Sequence, residues 1–143
     1  MSSEFFINGL NIPPFIIRHI HNGTWNAIHD HEVVGSLFKD RDLIDLYSIE
    51  DIVRENKSWT ENVDPIFIGN ENPSHFPGTI DPRLSILIGD LGLGYDQPIA
   101  LDFRPSLLHP SVVVFYWADY GNANYWIEIA TTVEDFAKKL KII

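Results

Sequence analysis

Six histidines are the first residues that could do chemistry. His19 and His21 stand two apart, as do His29 and His31 with Asp30 between them, and on a strand each pair would share one face. A structural metal site needs about four converging ligands and a catalytic site about three. The segment around His19 reads as helical, and a spacing of two on a helix points side chains to different sides. Scattered surface histidines are therefore expected, with no metal and no cofactor. The chain has no cysteine, which removes disulfides, thiolate metal ligands and a cysteine nucleophile.

The run Gly89-Asp90-Leu91-Gly92-Leu93-Gly94 has the look of a phosphate loop. Its glycines fall at the first, fourth and sixth places, whereas the dinucleotide fingerprint needs the first, third and sixth, between a strand and a helix. Here Tyr95-Asp96-Gln97-Pro98 and another strand follow, and Asp90 and Asp96 would repel a phosphate. A compact turn using glycine's conformational freedom is the better reading. Asp90, Asp96 and Asp102 could in principle share acid–base work. No nucleophile stands with a base beside it, so Asp90 and Asp102 are read as bonding backbone groups at turns and strand ends, and no catalytic residue is assigned.

The elements that position these residues follow from periodicity. Thr131 or Thr132 caps a last helix with Glu134 and Asp135 in its first turn; Val133, Phe136, Ala137 and Leu140 make its buried face. Glu134 and Asp135 precede Lys138 and Lys139 by four residues, the favourable orientation for ion pairs. Ser48 with Asp51 opens a second helix whose apolar stripe is Ile49, Ile52 and Val53. A short helix runs from Pro13 to His21 and leaves through Asn22-Gly23. Strands are expected at Pro65 to Ile68, Leu84 to Ile88, Ile99 to Phe103, Val112 to Trp117 and Tyr125 to Ala130, with turns at Gly89 to Asp96 and Asp119 to Asn122. The alternation across Val113 to Trp117 suggests a central strand covered on both faces. Consecutive strands without intervening helices imply an antiparallel meander. The expected class is α+β: a twisted, mostly antiparallel sheet with helices packed on one face and at the ends, forming one domain over residues 1–143.

Composition bounds the partners. The formal net charge is −10, and between Lys57 and Lys138 eleven carboxylates face only Arg83 and Arg104. Such a surface repels nucleic acid and anionic membranes, and speeds the arrival of basic proteins. The N-terminus lacks a basic stretch leading into a long apolar run, and no apolar stretch approaches the roughly 20 residues that span a bilayer. A soluble, cytoplasmic protein is the expectation.

The stretch IGDLGLGYDQPIALDF followed by HPSVVVFYWADYGNANYWIEIATTVEDFAKKL resembles the core signature of the SUKH superfamily, the Smi/Knr-type proteins. Upstream, IPPFIIRHIHNGTWN resembles the family's opening helix, LYSIEDI its strand-into-helix connection and DPIFIGNE the strand that follows. The most specific part is Gly89-Asp90 with Pro98 to Asp102, Trp126 and the Phe136 to Leu140 helix. The resemblance implies a bacterial immunity protein (an antitoxin) that binds and neutralises a cognate polymorphic toxin, often a nuclease, by stoichiometric occlusion. It carries no shared catalytic residues. The alternative within the family is a non-catalytic interaction module of the cell-wall or signalling type. A metal hydrolase using the histidines is a third reading, weakened by the missing ligand set.

Independently of the resemblance, turn position and residue type nominate the turn-bearing end of the sheet as the partner-binding surface: Tyr95, Asp96, Asp119, Tyr120 and Asn122. Tyrosines there would act as anchors and carboxylates would meet a basic toxin domain.

Overall fold

The computed structural model describes residues 4–39, 41–92, 96–118 and 123–143. The chain is α+β, with the helices packed around a six-stranded sheet. A small hairpin of β1 (Phe6–Ile7) and β2 (Leu10–Asn11) comes first. Then come α1 (Pro14–His21), α2 (His31–Leu37), β3 (Asp45–Leu46) and α3 (Ile49–Asn62). The remainder is β4 (Pro77–Gly78), β5 (Ser85–Asp90), β6 (Pro98–Asp102), β7 (Ser111–Tyr116), β8 (Tyr125–Ala130) and α4 (Val133–Lys139). The sheet order is β3-β5-β6-β7-β8-β4, and every pairing is antiparallel.

Capping chemistry sets the helix starts. The Ser48 hydroxyl accepts from the Asp51 N–H at 3.2 Å, and the Thr132 hydroxyl accepts from the Asp135 N–H at 3.0 Å. Lys139 closes the last helix with an ion pair to Asp135 at 3.3 Å. α1 begins after Pro13 and leaves through Gly23, whose φ of 76° is the left-handed exit that glycine supplies.

The central strands β5, β6 and β7 are buried almost throughout, as full burial on both faces requires. Antiparallel register places Ser85, Leu87, Ala100 and Asp102 on one face, with Val113, Phe115 and Trp126 continuing it. α3 packs here through Trp59, whose indole stands edge-on to Trp126 at 6.1 Å. The alternate residues Ile86, Ile88, Ile99, Leu101, Val112 and Val114 are fully buried in the same core as Trp25 and Phe136. α4 lies against β7 and β8, and its Phe136 meets Trp25 at 6.2 Å.

Two local expectations are corrected, and a helix stands where no element was assigned. Pro65–Ile68 is a 3-10 turn and not a strand, because the Asp64 carboxylate accepts from the Ile66 N–H at 3.0 Å and Pro65 pre-sets the first position. Val53 is 48% exposed and not part of the buried stripe of α3. That stripe runs Ile52, Asn56, Trp59, the three- and four-residue steps of one helix face. The segment around His31 is a helix, α2, capped by Asp30, whose carboxylate accepts from Glu32 and Val33 N–H. The signal was present: Asp30 followed by Val33, Val34, Leu37 and Phe38 is a capped amphipathic pattern.

Candidate functional site

A groove of about 420 Å³ opens between α3, the 3-10 turn that follows it, and the β5 end of the sheet. Its floor and apolar wall are Tyr47, Trp59, Phe67, Leu87 and Pro98. Its rim carries the carboxylates Glu55, Asp64, Asp90 and Asp96, and no Lys, Arg or His lines it among the described residues.

Local sequence positions each wall. Glu55 and Trp59 are four apart on α3 and therefore share a face. The Trp59 indole donates to the Ser85 hydroxyl at 2.9 Å, and that hydroxyl donates to the Asp81 carbonyl at 2.8 Å. With its N–H committed inward, Trp59 turns ring carbon toward the groove. Phe67 is held by the turn that Asp64 and Pro65 create, and its carbonyl accepts from the Trp126 indole at 2.7 Å. Phe67 packs on Phe115 at 5.1 Å and on Trp117 at 5.6 Å. The aromatic wall is thus the open side of a packed cluster.

Asp90 organises the far wall. One oxygen accepts from the Tyr47 hydroxyl at 2.9 Å and the other from the Gly92 N–H at 2.8 Å. Burial, and next the Asp90 charge and hydrogen bond, push the Tyr47 phenol up and out of reach of physiological titration. Tyr47 is therefore a fixed donor. Partial burial, followed by the neighbouring Asp90 and Asp51, also raises the Asp45 carboxyl above its ordinary range. Asp45 and Asp90 are register partners, so two carboxylates stand side by side at this edge of the sheet.

Among the nominated residues, Asp96 lines the groove, and its carbonyl accepts from the Trp117 indole at 3.1 Å. Tyr95, Asp119, Tyr120 and Asn122 lie outside the described residues. Of the three carboxylates considered for acid–base work, Asp90 and Asp96 share the groove. Asp102 is at the other end of β6, paired in register with Ser85 and bound by Arg104 at 2.9 Å. Asp90 and Asp102 bond the backbone N–H groups of Gly92 and Arg104, the turn-bonding role expected of them. Tyr125 packs over the sheet, stacked on His75 at 3.7 Å.

The histidines are spread over separate environments. His19 shares a hydrogen bond of 2.7 Å with Thr24, His29 bonds the Trp25 carbonyl at 3.0 Å, and His31 opens α2. No group of three or more His, Asp or Glu that could hold a metal ion occurs among the described residues. No helix is long and apolar enough to cross a membrane among them.

Tyr47, Glu55, Asp64 and Phe67 were not nominated from sequence. The four-residue spacing of Glu55 and Trp59 was a usable signal. The return of Asp64 and Phe67 to the same groove depends on the 3-10 turn, which reads as a strand in the sequence. Compared with known proteins, the chain matches no family model, no curated protein and no solved structure.

Proposed function

We propose that this chain is a non-catalytic immunity protein that binds a basic toxin domain and neutralises it by stoichiometric occlusion in the cytoplasm. The observation that carries the reading is the groove: a rigid aromatic wall rimmed by Glu55, Asp64, Asp90 and Asp96 without a lining cation among the described residues. A domain that cleaves nucleic acid must attract phosphate, so its working face is basic. An acidic, aromatic-walled surface is complementary to such a face, and the net charge of −10 steers the encounter. The resemblance of the Gly89 to Leu140 region to the SUKH superfamily points the same way.

The test is capture with this chain as bait in lysate of its source organism, followed by toxicity and nuclease assays on what is captured. The reading expects a toxin whose activity falls to zero near one equivalent of bait, with capture weakening as salt rises. Capture of a harmless envelope or signalling protein, with no toxin bound, would replace it with the interaction-module reading.

A further inference from the structure

We infer that the groove beneath α3 receives an arginine side chain of the partner, as a guanidinium laid against Trp59 and Phe67 and held by the rim carboxylates. The inference rests on the binding-protein reading above and names the chemistry that reading leaves open. Its volume of about 420 Å³ is near the lower end of sites that take small organic molecules. That is room for a long side chain, and too little for a folded segment.

The character of the walls selects the occupant. Tyr47 is 8% exposed and Trp59 5%, so the floor is a largely desolvated surface. The Tyr47 hydroxyl and the Trp59 indole N–H already bond within the protein, to Asp90 and Ser85. Their donors are thus committed within the protein, and the small part of each residue left at the groove answers no acceptor. An anion would meet four carboxylates and no cation among the described lining residues, and a neutral apolar side chain would leave those carboxylates unanswered. A cation with an aliphatic stem satisfies both surfaces, with ring faces attracting the positive charge.

The arrangement favours guanidinium over ammonium. The carboxylates come from different elements: Glu55 from α3, Asp64 from the start of the 3-10 turn, Asp90 from β5 and Asp96 from the segment before β6. A planar group with five donors in a fork can answer acceptors on several sides while its face lies on an aromatic ring. A compact, strongly hydrated ammonium has no such flat face to stack.

The experiment titrates isotope-labelled protein with three blocked tripeptides that differ only in a central arginine, lysine or citrulline. It follows the Trp59 indole N–H and the Leu87 amide by NMR. The arginine peptide is expected to shift both signals saturably, binding at least about fivefold more tightly than the lysine peptide, with citrulline inert. The double substitution Glu55→Gln with Asp96→Asn is expected to weaken the arginine peptide about tenfold or more. Neither side chain caps a helix, and Asn tolerates the positive φ of 47° at position 96, so an unchanged spectrum of the free variant certifies its fold. Citrulline or lysine binding as well as arginine, or an unaffected double variant, would overturn the inference. The two readings separate cleanly. A neutralised toxin without arginine-peptide binding sinks only the groove assignment, and arginine-peptide binding without any toxin captured sinks only the immunity role.

Discussion

The side-chain amide of Asn56 occupies the place of a neighbouring strand beside Leu87. Its Nδ2 donates to the Leu87 carbonyl at 2.9 Å, and its Oδ1 accepts from the Leu87 N–H at 2.7 Å. A third bond runs from Nδ2 to the Ile52 carbonyl at 2.8 Å, so α3 is fastened to the sheet through one buried residue. β3 pairs only with Gly89 and Asp90, which leaves this stretch of β5 without a strand partner on that side. Asn56 is 1% exposed, and water has no ready access to replace it. Asn56→Leu keeps the branching at Cγ and removes all three bonds. It is expected to cost about 2–4 kcal/mol, because two buried backbone groups lose their partners at once. Urea unfolding of the purified variant measures this. A loss under about 1 kcal/mol would mean the edge is satisfied in another way.

Gly69 follows the 3-10 turn with φ 83°, and a Cβ there would stand 2.3 Å from the Gly78 carbonyl oxygen and 2.9 Å from the Trp126 ring. Gly9 has φ 82° with nothing within 4 Å of such a Cβ. The two positions share the left-handed penalty of roughly 1–2 kcal/mol for a side chain and differ in space. Gly9→Ala should lose about that penalty alone. Gly69→Ala should lose about 3 kcal/mol or more, since both nearest atoms belong to rigid parts of the fold. Thermal melts of the pair isolate the contact from the backbone conformation, and equal losses would refute the steric account.

Much of the fold was legible because its signals are local. Ser48 and Thr132 cap helices with the hydroxyl bonds their positions imply, and β5, β6, β7 and β8 fall within a residue or two of the apolar runs that announce them. The misreading nearest the groove has a local cause. Pro65-Ile-Phe-Ile has strand-like residue types, but Asp64 bonding two residues ahead and Gly69 closing behind override them with a turn. That turn carries Phe67 and Asp64 to the groove, so losing it in the sequence also lost that wall of the site. Asp96, which lines the groove, was nominated because a turn residue is visible as such. Its partners in the groove, Glu55 and Tyr47, lie about forty residues or more upstream, and one sequence holds no trace of that proximity.

Arg104 secures a buried charge. Asp102 is 3% exposed, and Arg104 reaches it through Nε at 3.0 Å and a terminal nitrogen at 2.9 Å, the second also bonding the Thr79 carbonyl at 2.7 Å. Arg104→Ala is expected to cost about 3 kcal/mol, because it strands a carboxylate between strands. Adding Asp102→Asn should recover part of that loss by removing the unpaired charge. A double variant no more stable than the single one, by chemical denaturation, would show that Arg104 acts through Thr79 and packing instead.

Asp45 should make the protein more stable when it is removed. Partial burial, and then the charges of Asp90 and Asp51, raise its carboxyl above the ordinary value of 3.8, so the folded state binds its proton more tightly than the unfolded chain does. The sign follows directly. The ionised group opposes folding at every pH above the raised value. That opposition shrinks as the pH falls through it and is gone below 3.8. Asp45→Asn removes the charge and keeps the size, and both residues are similarly poor strand formers, so the substitution leaves β3's local preference nearly unchanged. The variant should therefore melt above the parent at about pH 7, and the gap should close as the pH is lowered through the carboxylate range. Differential scanning calorimetry at a series of pH values reads the gap. A variant that melts below the parent at neutral pH, or a gap that does not change with pH, would show that Asp45 is held by favourable contacts and not by its neighbours' repulsion.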